Sequence, residues 1–309
     1  MLSALVGFTG FVGSNLMKSY NFDVLYNSKN IQKAYYTEPD LLVYCGVPAE
    51  MFLANSNSEV DLKVIQQAIR NIEKINPKKL VLISTVAVYN DISDGNEDTI
   101  IDKSRLSAYG RNRLFLEEWV EKYINDYLIV RLPALYGNNL KKNFIYDYIH
   151  VIPKLLKESK YEELFSNDPM IQNYYTKQKN GFYRCNNISK QEQVQILQYF
   201  KKVNFSAVNF TDSRNIYQFF NLSNLWNIIN IAEQNSIKKL NIVTEPVSIQ
   251  ELYQFLNHRE VFNEISEKPL QYNLKTKHAE IFGGKNGYIF TKNYVLNDLE
   301  NFLRKKHET

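Results

Sequence analysis

The sequence predicts an α/β fold built on a doubly wound parallel sheet, because strand-length apolar runs alternate with segments of helical periodicity. The apolar runs occupy residues 2–6, 24–26, 41–45, 80–83 and 127–130. Their unbroken apolar character is typical of strands that are covered on both faces. Three glycines spaced three positions apart, Gly7, Gly10 and Gly13, directly follow the first run. A strand, a glycine loop and a helix in this order indicate a sheet of the Rossmann type.

Helical periodicity marks the segments between the strands. Apolar residues recur at helical spacing in residues 13–20, 59–74 and 107–123, and Pro77 ends the second of these helices. A later helix at residues 222–234 is followed by a strand-like run at 240–245, where we expect the chain to return to the first sheet.

The second half of the chain predicts a smaller, mostly helical α+β domain. Between residues 143 and 205 the pattern loosens into helices that are rich in Lys, Glu, Tyr and Phe. We therefore assign residues 1–140 and 221–246 to a nucleotide-binding domain, and residues 141–220 and 247–309 to a substrate-binding domain. The length of 309 residues accommodates two packed cores.

The composition excludes several classes of protein. An apolar content of 44% with 23% charged residues is typical of a globular enzyme. The net charge of +4 is small and the cations are scattered, so we expect no nucleic-acid partner. No apolar run reaches the roughly 18 residues of a membrane span, and the first residues are typical of a strand and not of a signal peptide. Cys45 and Cys185 lie far apart and the histidines are isolated, so we expect reduced thiols, no metal site and a cytoplasmic protein.

The glycine loop predicts the pyrophosphate site of an NAD(P) cofactor. The first glycine permits the tight turn, the second lets the backbone approach the phosphates, and the third lets the helix pack closely on the strand. The phosphates then meet the N-terminus of the helix, where backbone N–H groups favour negative charge. The expected cofactor contacts in this segment are Gly7, Thr9, Gly10, Phe11, Val12 and Gly13.

The end of the second strand indicates which dinucleotide binds. NAD-specific folds place a carboxylate there for the ribose 2′-hydroxyl, whereas this chain continues with Asn27, Ser28, Lys29 and Asn30. A hydroxyl and a cation suit a 2′-phosphate, which a carboxylate would repel. We therefore expect NADP as the preferred cofactor. The alternative is NAD, with Lys29 solvated and Asn27 alone bonding the ribose.

Further motifs follow the glycine loop in order along the first 140 residues. They are Asp40-Leu-Leu-Val-Tyr-Cys-Gly46, Leu82-Ile-Ser-Thr-Val-Ala-Val-Tyr89 and Tyr109-Gly-Arg-Asn-Arg113, extended by Arg131-Leu-Pro and Tyr136-Gly137. Together they resemble the extended short-chain dehydrogenases/reductases, the NAD(P)-dependent epimerase/dehydratase family. The resemblance implies an enzyme that acts on nucleotide-activated sugars, as in polysaccharide biosynthesis, and a homodimer that pairs through two helices of the first domain, including the helix that carries Tyr109.

The resemblance also implies a catalytic set of a hydroxyl residue, a tyrosine and a lysine. Matched motif by motif, the hydroxyl is Thr85, with Ser84 as the adjacent alternative, and the acid/base is Tyr109. The lysine position, four residues after the tyrosine, holds Arg113. The other expected cofactor contacts are Cys45, Gly46, Val47, Ser84 and Leu132, and the expected substrate contacts are Val86, Ala87, Asn143 and Arg214.

Arginine in place of lysine changes the chemistry that the family's set supplies. A phenol with a pKa of about 10 ionises more easily beside a cation, and a guanidinium provides one. Arg113 lies one helical turn after Tyr109, so it faces the same side of the helix and can donate to the nicotinamide ribose. It cannot lose its own proton in a relay.

The residues that follow Thr85 indicate the reaction subclass. Dehydratases of this family have an acidic pair there, whereas this chain has Val86 and Ala87, so dehydration is disfavoured. We expect hydride transfer to or from a nucleotide-linked keto-sugar, with Tyr109 as the acid/base. An epimerase that keeps its cofactor bound is one alternative. A non-catalytic NAD(P)-binding sensor or scaffold is the other, and it is favoured by the change from Lys to Arg.

Overall fold

The chain divides into two units in the computed structural model, which describes residues 1–203, 205 and 207–307. Unit 1 comprises Met1–Leu140, Ile216–Ser248 and Leu270–Arg304. Unit 2 comprises Lys141–Asn215, Ile249–Pro269 and the end of the chain from Lys305.

The strands and helices follow one another in the order that the apolar pattern predicts for the first half of the chain. The strands are β1 (Ser3–Val6), β2 (Val24–Tyr26), β3 (Leu41–Tyr44), β4 (Leu80–Thr85), β5 (Tyr127–Leu132), β6 (Ala134–Tyr136), β7 (Leu155–Leu156), β8 (Tyr175–Lys177), β9 (Tyr183–Cys185), β10 (Ile216–Tyr217), β11 (Phe219–Asn221), β12 (Lys239–Asn241) and β13 (Val247–Ser248). The helices are α1 (Phe11–Ser19), α2 (Met51–Ser56), α3 (Ser58–Ile75), α4 (Ala108–Tyr123), α5 (Phe144–Ile149), α6 (Glu158–Asn167), α7 (Lys190–Lys202), α8 (Leu225–Gln234), α9 (Ile249–Asn257) and α10 (Lys292–His307).

Unit 1 is built on a parallel sheet with the strand order β12-β5-β4-β3-β1-β2. Neighbouring strands of this sheet pair in parallel throughout, with Val6 opposite Tyr26 on one side and Tyr44 on the other. The predicted doubly wound sheet is confirmed. The expected return strand at 240–245 is shorter, since β12 ends at Asn241.

The two faces of this sheet are covered by different helices, because alternate residues of a strand point to opposite faces. Leu5 packs in an apolar cluster with residues of α1 and α8, such as Leu16 and Ile228. Its neighbour Ala4 packs in a second cluster with residues of α3 and α4, such as Ile72. Burial on both faces explains why the strands are continuous apolar runs.

The assignment of residues 247–309 to the smaller domain departs from the structure for residues 247–248 and for Leu270–Arg304, which belong to unit 1. In this segment α10 buries Leu299, and its Asp298 accepts a hydrogen bond of 2.5 Å from the hydroxyl of Tyr136 in β6. Residues 216–220 also belong to unit 1, because β10 pairs with β13 and β11 pairs with β6. The last two residues of the predicted range, Glu308 and Thr309, lie outside the described part of the chain.

Unit 2 has an apolar core of its own. Its strands pair antiparallel in the order β7-β9-β8. Aromatic and aliphatic side chains from this sheet and from α6 and α7 form the core, among them Leu164, Tyr175, Ile196 and Phe200.

A buried ion pair joins α4 to the sheet of unit 1. Arg131 of β5 donates from Nη2 to the carboxylate of Glu117 in α4 at 2.6 Å, and the two residues are only 2% and 1% exposed. The same carboxylate accepts a hydrogen bond of 2.5 Å from the hydroxyl of Ser84 near the end of β4. A second guanidinium nitrogen donates to the hydroxyl of Tyr89 at 2.7 Å. One group of polar contacts therefore fixes the position of α4 on β4 and β5.

We expect Glu117→Ala to lower the free energy of unfolding by about 3–5 kcal/mol, because it leaves the buried charge of Arg131 without a partner. The matched control is Glu118→Ala, which removes the neighbouring carboxylate and its surface ion pair with Lys103. This control should cost less than about 1 kcal/mol. Urea denaturation followed by tryptophan fluorescence measures both values, and equal losses would contradict the role given to the pair.

Candidate active site

The glycine loop joins β1 to α1 so closely that two of its residues cannot carry a side chain. Gly7 has a φ of +91°, and a Cβ on it would lie 2.6 Å from the carbonyl oxygen of Cys45. A Cβ on Gly13 would lie 2.3 Å from the carbonyl oxygen of Gly7. The turn and the contact between strand and helix therefore require glycine at both positions.

The N-terminus of α1 is suited to bind an anion. Gly10 caps the helix without a side-chain hydrogen bond, and the first turn contains no acidic residue. Thr9 is exposed at the tip of the loop, and Phe11 and Val12 begin the helix half-buried. A Cβ on Gly10 would lie 3.2 Å from the carbonyl oxygen of Gly7, which is a close contact but much looser than the one at Gly13, and the rest of the space around it is an open cradle. The cradle and the backbone donors of the first turn fit a pyrophosphate.

The sheet places this loop at the point where its strand order reverses. The chain passes from β1 to β2 on one side and then to β3 on the other, and ligands of such sheets bind in the crevice at the carboxyl ends of the strands. Cys45, Gly46 and Val47 follow β3 at this crevice, and the carbonyl of Cys45 is in van der Waals reach of Gly7. Gly46 is exposed, and its two neighbours are half-buried. The structure thus brings together the predicted contacts after β1 and β3.

The turn after β2 presents the two residues that are expected to meet a 2′-phosphate. Asn27 accepts a hydrogen bond of 2.9 Å at Oδ1 from the backbone N–H of Lys29. Asn30 accepts one of 2.7 Å from the N–H of Asn27 and donates one of 3.1 Å to the carbonyl of Leu25. These contacts order the turn and leave Ser28 and Lys29 exposed. Because Oδ1 of Asn27 already holds the turn together, the hydroxyl and the cation are the better placed ligand groups.

Thr85 and Tyr109 meet at the carboxyl end of β4. Thr85 is the last residue of the strand, and its hydroxyl accepts a hydrogen bond of 3.1 Å from the N–H of Ala87. It also lies close enough to Tyr109 to lower the pKa of that phenol. Tyr109 lies in the first turn of α4, where its backbone N–H donates to Oδ1 of Asn55 at 2.9 Å. Leu132, the last residue of β5, lies opposite Thr85 of β4 and is buried. The strand end and the helix start therefore fix both hydroxyl groups side by side.

Arg113 covers the ring of Tyr109 from one helical turn away. Its Cζ atom lies 4.1 Å from the ring centroid, which is the geometry of a cation–π contact. Nη1 donates to the carboxylate of Asp61 at 2.5 Å, and Nη2 donates to the carbonyl of Pro48 at 2.7 Å. With only 5% of its surface exposed, the guanidinium is held in one place.

Opposing effects act on the pKa of Tyr109. Burial is the largest and raises the pKa, whereas the charge of Arg113 and hydrogen bonding with Thr85 and Arg113 lower it. The charge of Asp61 raises it. The pKa is raised above the ordinary value of 10.0 on balance, so the phenol keeps its proton near neutral pH and is placed to donate it.

Three other predicted residues near Thr85 are engaged elsewhere. Ser84 donates to Glu117, which leaves Thr85 as the hydroxyl beside Tyr109. Val86 is 4% exposed and packs in an apolar cluster, and this placement argues against a substrate contact. Ala87 is half-buried, with its carbonyl against Gly110 of α4.

The remaining predicted substrate residues, Asn143 and Arg214, belong to unit 2. Asn143 has a φ of 115° and caps α5 by accepting a hydrogen bond of 3.1 Å from the N–H of Tyr146. Arg214 donates from Nη2 to Asp212 at 2.8 Å and from Nη1 to Glu264 at 2.9 Å. Two carboxylates already neutralise this guanidinium, so the structure favours a structural role for Arg214 over diphosphate binding.

Sequence reasoning missed two residues that support Tyr109. Asn55 in α2 holds its backbone, and Asp61 in α3 holds the guanidinium that covers its ring. Asp61 stands in the first turn of a helix, where an acidic residue is common for its effect on the helix dipole, so its type alone gave no signal.

Residues 1–203, 205 and 207–307 contain neither a cluster of metal-ligating side chains nor a helix that could span a membrane. No group of three or more His, Cys, Asp or Glu side chains in this range is arranged to hold a metal ion. None of the helices described there combines the length and apolar character that a bilayer crossing demands.

The sequence matches one family model. Residues 5–160 match the family described as the RmlD substrate binding domain. No curated protein matches the sequence.

Several solved structures are similar to this one, and some of them are described as reductases of nucleotide-linked sugars. The dTDP-4-dehydrorhamnose reductase from Bacillus anthracis, in complex with NADP, has a TM-score of 0.59 at 16% identity, with 99% of each chain covered. RMD from Pseudomonas aeruginosa, complexed with NADPH, has a TM-score of 0.63 at 12% identity, with 99% of each chain covered. A GDP-6-OMe-4-keto-L-xylo-heptose reductase from C. jejuni has a TM-score of 0.60 at 14% identity, covering 99% of this chain and 98% of that one. At these identities the likeness establishes the fold.

The glycine geometry predicts effects of different size on stability for two alanine substitutions. Gly13→Ala forces a Cβ into the carbonyl of Gly7 and should lower the free energy of unfolding by about 1–3 kcal/mol. Gly10→Ala places its Cβ in the open cradle and should leave the stability nearly unchanged. Thermal unfolding without ligand measures both, and a Gly10→Ala protein as destabilised as Gly13→Ala would refute the open cradle.

Proposed function

The chain belongs to the RmlD substrate binding domain family, and we propose that it is an NADP-dependent oxidoreductase that reduces the keto group of a nucleotide-linked sugar. The observation that carries the proposal is the placement of Tyr109, in the first turn of α4, beside Thr85 at the carboxyl end of β4. The similar structures are in line with it, since those proteins include reductases of dTDP- and GDP-linked sugars, and two of them hold NADP or NADPH.

The hydroxyl groups of Tyr109 and Thr85 have different roles at the carbonyl oxygen of the substrate. NADPH, when bound at the glycine loop, supplies the hydride that the carbonyl carbon accepts. Tyr109 donates its proton to the carbonyl oxygen as negative charge develops there, and Thr85 stabilises the same oxygen by a hydrogen bond. Burial of Tyr109 helps this step, because a raised pKa keeps the phenol in the form that has a proton to give.

The cofactor preference rests on the turn after β2. Ser28 and Lys29 are exposed on an ordered turn, and the backbone cradle at Gly10 receives the pyrophosphate. A charge-assisted hydrogen bond from Lys29 to a 2′-phosphate has no counterpart with NAD. We therefore propose NADPH as the reductant.

Reduction is favoured over the two alternatives that the sequence leaves open. An epimerase must take a proton from the sugar hydroxyl as well as return it, whereas a reductase needs only the proton that the neutral phenol already carries. A sensor that only binds dinucleotide does not require the hydroxyl groups of Thr85 and Tyr109 to lie beside the guanidinium of Arg113. Cofactor oxidation that depends on a keto-sugar distinguishes the reductase from both.

Assembly and location are further parts of the proposal. Exposed apolar side chains on α3 and α4, among them Val60 and Phe115, support a homodimer that pairs through these helices. Two free cysteines, Cys45 and Cys185, support a reducing compartment and hence the cytoplasm.

We expect Tyr109→Phe to lower kcat for reduction of dTDP- or GDP-linked 4-keto-sugars by about 10²- to 10⁴-fold, because the proton donor is lost. NADPH binding should persist, since the glycine loop is untouched. Loss of NADPH absorbance in the presence of keto-sugar measures turnover, and fluorescence titration measures binding. Unchanged turnover in the variant would remove Tyr109 from the mechanism.

We expect Lys29→Glu to shift the cofactor preference from NADPH toward NADH by about tenfold to a hundredfold, the value of one charge-assisted hydrogen bond. Lys33→Glu is the matched control, because it makes the same charge change on an exposed residue nearby. Titrations of each protein with NADPH and NADH give the ratio. Tighter binding of NADH than NADPH by the unaltered protein would defeat the proposed preference.

A further inference from the structure

We propose that Asp61 is a positioning residue of this site, which fixes the guanidinium of Arg113 against the aromatic face of Tyr109 and so governs proton transfer by that phenol. Asp61 lies in the first turn of α3, and its side chain is 11% exposed. Its Oδ2 atom accepts from Nη1 of Arg113 at 2.5 Å and from Nδ2 of Asn112 at 2.8 Å. Two neighbouring residues of α4 are thereby tied to one carboxylate of α3.

The contacts of Arg113 explain why a carboxylate is needed at this place. A guanidinium presents donors in a planar fork, and here Nη1 meets Asp61 while Nη2 meets the carbonyl of Pro48 at 2.7 Å. With both ends held, the plane rests on Tyr109, with Cζ 4.1 Å from the ring centroid. An ammonium group in the position of Arg113 has no second arm for such a clamp. Asp61 therefore belongs with the arginine in a set that differs from the lysine of related enzymes.

The carboxylate also acts on the phenol through its charge. The largest charge effects on Tyr109 come from Arg113 of its own helix and from Asp61 of α3, and the uncharged Thr85 of β4 lies beside it. The arginine lowers the pKa of the phenol and Asp61 raises it. By offsetting part of the arginine's charge, Asp61 keeps Tyr109 protonated to higher pH. A proton donor gains from this, since reduction needs the neutral phenol.

The opposite effects of Asp61 and Arg113 on the pKa of Tyr109 determine in which direction a substitution of Asp61 should shift that pKa. Asp61→Asn keeps an oxygen that accepts from Arg113, but it removes the negative charge. The pKa of Tyr109 should then fall, and the pH at which the phenol ionises should move downward. The role in turnover rests on the proposed function, whereas the effect on the ionisation of Tyr109 does not.

The experiment measures that ionisation directly, without substrate or cofactor. The tyrosinate absorbance of each protein is recorded against pH, and the curve of its Tyr109→Phe counterpart is subtracted to isolate one phenol. We expect a lower midpoint for Asp61→Asn than for the unaltered protein. The matched control is Glu59→Gln, which makes the same charge change at an exposed position in the same turn of α3 and should leave the midpoint in place.

Further variants keep the test decisive. Asp61→Glu retains the charge and should keep the midpoint near that of the unaltered protein. Asp61→Gln, which also keeps an amide oxygen as acceptor, replaces Asp61→Asn if the latter does not fold. A midpoint that Asp61→Asn leaves unchanged or raises overturns the proposal, as does an equal fall in Glu59→Gln.

Turnover separates this proposal from the proposed function. If the enzyme reduces a keto-sugar, the alkaline limb of kcat against pH should move to lower pH in Asp61→Asn. If the midpoint of Tyr109 falls as expected while no keto-sugar is reduced, the positioning role stands and the reductase assignment fails.

Discussion

The buried ion pair of Glu117 and Arg131 is the constraint on which the geometry of the site depends. It joins the middle of α4 to β5, and through Ser84 it also joins α4 to β4. Such a pair is costly to bury and is favourable only when every polar atom finds a partner, so it tolerates little displacement of the helix. Tyr109 and Thr85 lie on these same elements, and their separation is therefore fixed by a contact outside the site.

The site itself is organised around charges that offset one another. A cation over the face of Tyr109 favours its phenolate, whereas burial and the charge of Asp61 favour the neutral phenol. The neutral form prevails, and this outcome suits a donor of protons. Replacement of the expected lysine by Arg113 is accordingly a change of several contacts and not of one residue, because the guanidinium brings two acceptors with it.

Local patterns predicted the elements well, and long-range contacts explain what they missed. The glycine loop, its strand and its helix are neighbours in sequence, so spacing alone determines their geometry. Arg214 was predicted to contact the substrate, but it pairs with Asp212 and Glu264, the latter far along the chain. The segment Leu270–Arg304 was assigned to the wrong domain. The amphipathic pattern of a helix such as α10 shows that one of its faces is buried, but it does not show which of the two cores that face packs against.

The sequence by itself determined the parallel sheet and the glycine cradle, because each depends on periodicity or on residues that are close together in the chain. Its resemblance to a known family pointed to Thr85, Tyr109 and Arg113. Only the tertiary structure decided which hydroxyl faces the tyrosine, where the arginine lies and which form of the phenol prevails. Those answers depend on Asp61 and Glu117, whose burial and partners arise when separate elements pack together. A pKa in particular is a property of that packing, since desolvation and neighbouring charge set it.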